Sequence, residues 1–202
     1  MPDLVTDQST MLTVAVLAYL IGSIPFGLLV ARLMGLGDLR EIGSGNIGAT
    51  NVLRTGNKAA AALTLVLDAG KAVVAVIAAR EFVGEDAAQL AALAAFLGHL
   101  YPIWLGFKGG KGVATFLGAL LALNPFLGLA ACATWLVVAL VMRMSSYAAL
   151  ATAATAPGWA LFVDYLHGLL LLTILAVFIF IRHGDNIKRI KSGTEPKIGQ
   201  KK

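Results

Sequence analysis

The chain has 202 residues, 58% of them hydrophobic and 13% charged, with a formal net charge of +5 and a mean hydropathy of +0.82. Soluble domains average roughly 45–50% apolar and about 25% charged residues, so a water-soluble fold is excluded and an integral membrane protein is expected. The one cysteine, Cys132, excludes an intramolecular disulfide, and inside its apolar run it reads as a packing residue and not a nucleophile.

The opening residues, Met1 to Thr10, carry Asp3 and Asp7 but no Lys or Arg. They lack the basic start of a cleaved signal peptide, so the first apolar run is expected to stay in the mature chain. That run covers 10–34, and its Gly22-Ser-Ile-Pro-Phe-Gly27 segment is expected to bend the helix and admit a close neighbour. Further runs at 59–80, 87–107, 113–123, 126–142, 147–163 and 165–181 bring the expectation to about seven transmembrane helices. In the second run Asp68 and Lys71 stand at i and i+3, as a structural ion pair or a substrate contact. The fourth run would be only about 17 Å long as a helix, against a hydrocarbon thickness of about 30 Å. Either the glycine-rich loop before it dips into the membrane to begin the helix, or the segment is re-entrant.

Charge gives the orientation. With the N-terminus outside, all of the 16 basic residues except Lys71 and Arg80 fall on one side, Lys201 and Lys202 included. By the excess of Lys and Arg that side is the cytoplasm. Asp3, Asp7, Glu81, Glu85, Asp86 and Asp164 fall outside, with His167 among them and read as bland. The expected fold is thus all-α, a single polytopic membrane domain over 1–202, N-terminus outside and C-terminus cytoplasmic, with a basic tail from about 183. The net charge is topological and is not read as nucleic-acid binding; the tail suits anionic lipid.

Three polar stretches interrupt the apolar pattern, all on the cytoplasmic side. In the first, residues 43–54, Gly43, Gly45 and Gly48 permit tight turns, while Ser44, Asn46, Thr50, Asn51 and Arg54 offer donors to an oxyanion. The second follows His99, Tyr101 and Trp104. Here Gly109, Gly110 and Gly112 let backbone N–H groups turn toward one point, Lys108 and Lys111 add charge, and the run through Thr115 offers a helix N-terminus. This is phosphate chemistry, but not a Walker loop, because Leu105 and Gly112 stand where that pattern needs glycine and a hydroxyl. His99 reads as a packing residue or a catalyst, Tyr101 and Trp104 as interfacial anchors, and Lys111 as a phosphate-binding point charge. The third stretch, from Ile181, gathers His183, Asp185 and Asn186 before a basic segment; His183 and Asn186 share a face if the helix continues through Gly184. Arg143, Ser145 and Ser146 form a fourth corner with further donors. No metal-ligand cluster or cofactor motif is present.

Three segments carry a family resemblance: Ser44-Gly-Asn-Ile-Gly-Ala-Thr-Asn-Val-Leu-Arg54; Gly98-His-Leu-Tyr-Pro102 with Phe107-Lys-Gly-Gly-Lys-Gly-Val-Ala-Thr115; and Arg182-His183 with Asn186-Ile-Lys-Arg189. Together they closely resemble the bacterial membrane acyl-phosphate:glycerol-3-phosphate acyltransferases, the PlsY type. The resemblance implies acyl transfer from acyl phosphate to the 1-hydroxyl of sn-glycerol 3-phosphate, giving lysophosphatidic acid and orthophosphate. It also implies a multi-helix membrane fold, the bilayer as partner, and no acyl-CoA or acyl carrier protein as direct donor. The His-x-x-x-x-Asp motif of the other common acyltransferase type is absent, since Trp104, Leu172 and Lys188 stand five beyond the three histidines. The Gly109–Gly112 loop is expected to hold the acyl-phosphate head group, and Ser44, Asn46, Asn51, Arg54, His183 and Asn186 to hold glycerol 3-phosphate. The base is either His183 or the substrate phosphate. The competing class is a membrane anion or phosphate transporter with the glycine loop as filter, but no convincing internal repeat supports it. Oligomeric state stays open.

Overall fold

The computed structural model describes residues 2–199 and is all-helical among them; Met1, Lys201 and Lys202 lie outside the described residues. The first apolar run is two helices, α1 (Gln8–Gly22) and α2 (Phe26–Leu33). Asp7 caps α1 by accepting from the amides of Ser9 and Thr10. The break falls at Ser23–Pro25, where proline removes a donor and disfavours helical backbone before it. A one-turn α3 (Ala49–Val52) precedes α4 (Lys58–Phe82), which Asn57 caps through Ala60 N–H. Next come α5 (Glu85–Leu100), the short α6 (Val113–Leu123), α7 (Pro125–Met142) and α8 (Ser145–Phe162). Finally α9 (Leu169–Arg182) bends by 63° at His183 into α10 (Gly184–Lys191).

Each apolar run of the sequence is occupied by helix. Among the described residues four stretches are long and apolar enough to cross a membrane, or five with the bent α9–α10 pair. The fourth run is an 11-residue helix entered from a non-helical glycine loop. The run at 87–107 ends its α-helix at Leu100, two residues before Pro102.

Packing follows a membrane logic. The core is built from small side chains, with Ala87, Ala88, Ala91, Ala92 and Ala95 of α5 fully buried, while Leu129, Leu136 and Leu140 of α7 face outward. Lipid offers no hydrophobic drive between helices, so close backbone approach takes its place. A Cβ on Gly22 would meet the Ala95 carbonyl, one on Gly98 the Tyr19 carbonyl, and one on Gly118 the Ala69 carbonyl. These contacts seat α1 on α5 and α6 on α4.

Polar side chains gather at the two ends of the bundle. At one end Asp86 accepts from the backbone of Val5 and Thr6, and Arg80 pairs with Glu85 at 2.7 Å while donating to the Leu123 carbonyl closing α6. His167, expected to be bland, lies 3.9 Å from Glu85 in that cluster. The other end collects the three polar stretches.

Candidate active site

After α5 the chain makes a single turn at Ile103–Leu105 and enters the glycine–lysine loop. The Gly109 N–H donates to the Leu100 carbonyl and the Gly110 N–H to the His99 carbonyl, both at 3.1 Å. Two amides expected to cradle an anion are therefore engaged by the end of α5. Arg182 grips the opposite side, its Nε donating to Gly110 O and its Nη2 to Gly109 O, both at 3.0 Å. Arg40 Nη2 holds Lys108 O at 2.8 Å. Gly112, at φ +83°, turns the chain into α6, whose first turn has no side-chain cap. The loop is thus a braced ledge that presents the Lys111 side chain and the α6 N-terminus, and the anion field comes from those two sources.

Lys111 Nζ donates to Asn186 Oδ1, whose amide donates in turn to Glu195 Oε1 at 2.6 Å. Ser146 Oγ donates to the same oxygen at 2.6 Å, and Arg189 Nε to Glu195 Oε2 at 2.7 Å. Glu195 thus ties α8, α10 and the loop together. Burial opposes its ionisation, but the bonds from Ser146, Asn186 and Arg189 outweigh that and lower its pKa. Burial, opposed by Glu195 but reinforced by Arg189, Arg182 and Arg54, brings Lys111 down to about 8. Buried His183 shares a 2.8 Å hydrogen bond between Nδ1 and the Ile179 carbonyl, which places the ring proton on Nδ1. Burial is also the main cause that pushes His183 down to about 4.

In the first polar stretch, Asn51 Oδ1 accepts from Ser44 N–H at 3.1 Å, Ser44 Oγ at 3.4 Å and Arg54 Nη1 at 3.4 Å. Its amide donates to Leu39 O at 2.9 Å. Asn51 is buried, so it braces Ser44 and Arg54 from behind.

These segments surround a polar cavity of about 430 Å³, lined by Arg40, Ser44, Asn46, Lys108, Lys111 and Arg182, with Asp185 as its acidic wall. Phe107 and Ile181 border it and are 58% and 61% exposed. Ser44, Asn46, Lys108, Gly109 and Lys111 therefore meet as the sequence predicts. The other expected ligands do not line it: Arg54, Gly110 and Gly112 lie outside the lining, His183 and Asn186 are buried, Thr50 stands exposed on α3, Thr115 is fully buried with an unpartnered Oγ1, and Asn51 has its amide committed to Leu39. The places of Thr50, Thr115 and Asn51 are set by the one-turn helix α3, the packing of α6, and the bond back to the Leu39 carbonyl. His99 lies buried behind Gly110. Arg40 and Glu195 were not singled out, and Arg182 only as part of the motif that carries the family resemblance; their signal is weak, although Glu195 is the only acid after Asp185 in the tail. Among the described residues no cluster of three His, Cys, Asp or Glu side chains forms a metal site.

The chain is thus an apolar helical bundle whose polar cavity combines several cations with an apolar rim. The glycerol-3-phosphate acyltransferase family model matches residues 12–193. The glycerol-3-phosphate acyltransferase of Jannaschia sp. (strain CCS1) is 64% identical over 92% of this chain and 92% of its own, and that of Cereibacter sphaeroides (strain ATCC 17025) is 59% identical over 100% and 96%. The crystal structure of PlsY (YgiH), an integral membrane glycerol 3-phosphate acyltransferase, in its glycerol 3-phosphate form superposes with a TM-score of 0.88 at 38% identity, covering 94% of this chain and 96% of that one. Its lysophosphatidic acid form gives 0.87 at 37% identity, covering 94% and 95%. The chain belongs to the glycerol-3-phosphate acyltransferase family, the PlsY-type enzymes of phospholipid synthesis.

Proposed function

We propose that this acyltransferase takes its acyl group from acyl phosphate and delivers it to the 1-hydroxyl of sn-glycerol 3-phosphate, releasing lysophosphatidic acid and orthophosphate. In this reading the chain is one polytopic domain of about seven membrane crossings in a bacterial inner membrane, N-terminus outside. The cavity faces the cytoplasm, as the basic residues around it favour. The observation that carries the reading is one cavity that brings Lys111 and Lys108 of the braced loop to Ser44 and Asn46 of the first stretch, with Arg54 bonded to the Asn51 brace that also holds Ser44.

The acyl-phosphate head group lies against Lys111 and the α6 N-terminus, with its chain leaving toward lipid between Phe107 and Ile181. Glycerol 3-phosphate is held by Ser44, Asn46 and Arg54, with His183 and Asn186 closing the far side. Its hydroxyl oxygen attacks the acyl carbonyl carbon, the bond from that carbon to the phosphate oxygen breaks, and orthophosphate departs. Acyl phosphate is a mixed anhydride, so positioning and charge stabilisation suffice without a covalent intermediate. His183 at about 4 is a weak base. The glycerol 3-phosphate phosphate, with a second pKa of about 6, is the stronger one and takes the hydroxyl proton.

Arg54→Ala is expected to raise the glycerol 3-phosphate KM about 10–100-fold, the loss of a charge-assisted hydrogen bond, with the acyl-phosphate KM nearly unchanged. Steady-state kinetics with each substrate varied in turn tests the two-cradle reading. Equal effects on both KM values would overturn it. Gly110→Ala perturbs the other cradle, because its Cβ would land on the His99 ring. Turnover is expected to fall by about 10²-fold, with the glycerol 3-phosphate KM nearly unchanged.

The pH profile follows from Lys111 and His183. Lys111 acts as a cation, so kcat/KM for acyl phosphate falls as pH rises through about 8. The acid limb belongs to the substrate phosphate near about pH 6, because His183 stays neutral there. A Lys111→Arg enzyme, charged at all working pH values, loses the alkaline limb.

A further inference from the structure

Behind the glycine loop, inside the bundle, lies a polar cluster for which the reaction outlined above has no role. Lys71 is 4% exposed, Asp68 2% and His99 5%. Lys71 Nζ lies 2.8 Å from Asp68 Oδ1, 3.0 Å from the Ile24 carbonyl at the α1–α2 break, and 2.8 Å from His99 Nδ1. An ammonium has three protons, and these three acceptors use all of them. His99 Nδ1 must then be the accepting nitrogen, and the neutral ring carries its own proton on Nε2. Asp68 Oδ1 is farther from Nδ1, at 3.5 Å, and already accepts from Lys71, so it does not compete for that position.

His99 Nε2 faces Gly110. The three nearest atoms to a Cβ built there all belong to this ring, and the His99 carbonyl accepts the Gly110 N–H at 3.1 Å. The histidine therefore supports the loop twice, through its backbone and through its ring. Nε2 has no hydrogen-bond partner among the described residues. The residue following Gly110 is Lys111, so the ring packs one residue away from the site cation.

We infer that Lys71, anchored by Asp68 and the Ile24 carbonyl, is a positioning residue for acyl transfer: it fixes the ring and tautomer of His99, and so holds the ring packed against the Gly110 edge of the loop. The inference rests on the reading that this loop serves the acyl donor.

Two measurements on the full-length protein test it. Nitrogen-15 spectra of histidine-labelled protein in lipid, with His99 assigned from a His99→Asn sample, are expected to show Nδ1 unprotonated and Nε2 protonated. A proton on Nδ1 would overturn the inference, and this measurement depends neither on turnover nor on the identity of the donor. The second uses the Asp68→Leu/Lys71→Met double variant, which removes both charges together because deleting one partner would strand the other. Its kcat is expected to fall by about 10²-fold while the glycerol 3-phosphate KM stays within about twofold of wild type, since the loop shifts and the other cradle does not. A folded double variant with wild-type kcat would also overturn the inference. If that variant does not fold, the wild-type spectrum decides. If wild-type protein turns over only another acyl donor, the donor assignment fails and the same kinetic split is read with the donor used.

Discussion

Lys111→Ala is expected to lower kcat/KM for acyl phosphate by about 10²–10³-fold, the usual cost of removing one group that stabilises developing charge. The physical reason is the narrowness of the anion field. With the Gly109 and Gly110 amides donating to carbonyls of α5, the loop's contribution comes from the Lys111 ammonium and the uncapped start of α6. Lys108, the other loop cation, is exposed and screened by water, so it cannot substitute. Removing Lys111 also leaves Asn186 Oδ1 without its donor. Stability should fall only modestly, because the variant strands the Asn186 acceptor but no buried charge. Steady-state kinetics beside a thermal melt checks this, and the expected result is a large kinetic defect with a small shift in Tm.

Glu195→Ala is expected to behave differently, losing stability and activity together. Its side chain is only 6% exposed and accepts from Ser146, Asn186 and Arg189. Truncation releases α10 from α8, leaves those donors unpaired, and costs about 3 kcal/mol by analogy with breaking a buried pair from one side. The sign with pH follows from the lowered pKa of Glu195: this stability is present above the ordinary carboxylate range and is lost as pH falls through the depressed folded-state value. Thermal unfolding of wild type and Glu195→Ala in detergent, repeated at acid and neutral pH, checks both points. The two curves should converge in acid. Glu195→Gln keeps two hydrogen bonds to the same groups and should fall between them.

Much of the helical layout is legible in the sequence, because a side chain facing lipid must be apolar all along a span, and such runs are hard to mistake. The Asp68–Lys71 pair was readable from its spacing, and it closes at 2.8 Å. The break at Pro25 was readable as a bend. What it does was not: the Ile24 carbonyl there becomes an acceptor for Lys71, through a contact 47 residues away. The three polar stretches were recognisable by their density of donors, and their meeting is now visible in the Arg40–Lys108, Arg182–Gly110 and Lys111–Asn186 bonds. Local pattern cannot tell which donors face the cavity. Asn51 and Asn46 look alike in sequence, yet one braces and one lines. Arg40 and Arg182 read as topology markers because a positive-inside arginine and a loop clamp are the same residue type. The glycines promised a nest of amides, but a loop folded back on the end of its own preceding helix satisfies those amides internally.

The most direct test is an initial-rate assay of purified protein in detergent or a lipidic phase with palmitoyl phosphate, measuring orthophosphate and lysophosphatidic acid together, with and without glycerol 3-phosphate. Palmitoyl-CoA serves as a parallel donor. The expected result is equal release of both products only when glycerol 3-phosphate is present, and no turnover of the thioester. Orthophosphate released without glycerol 3-phosphate, or acyl transfer from the thioester at a comparable rate, would contradict the account.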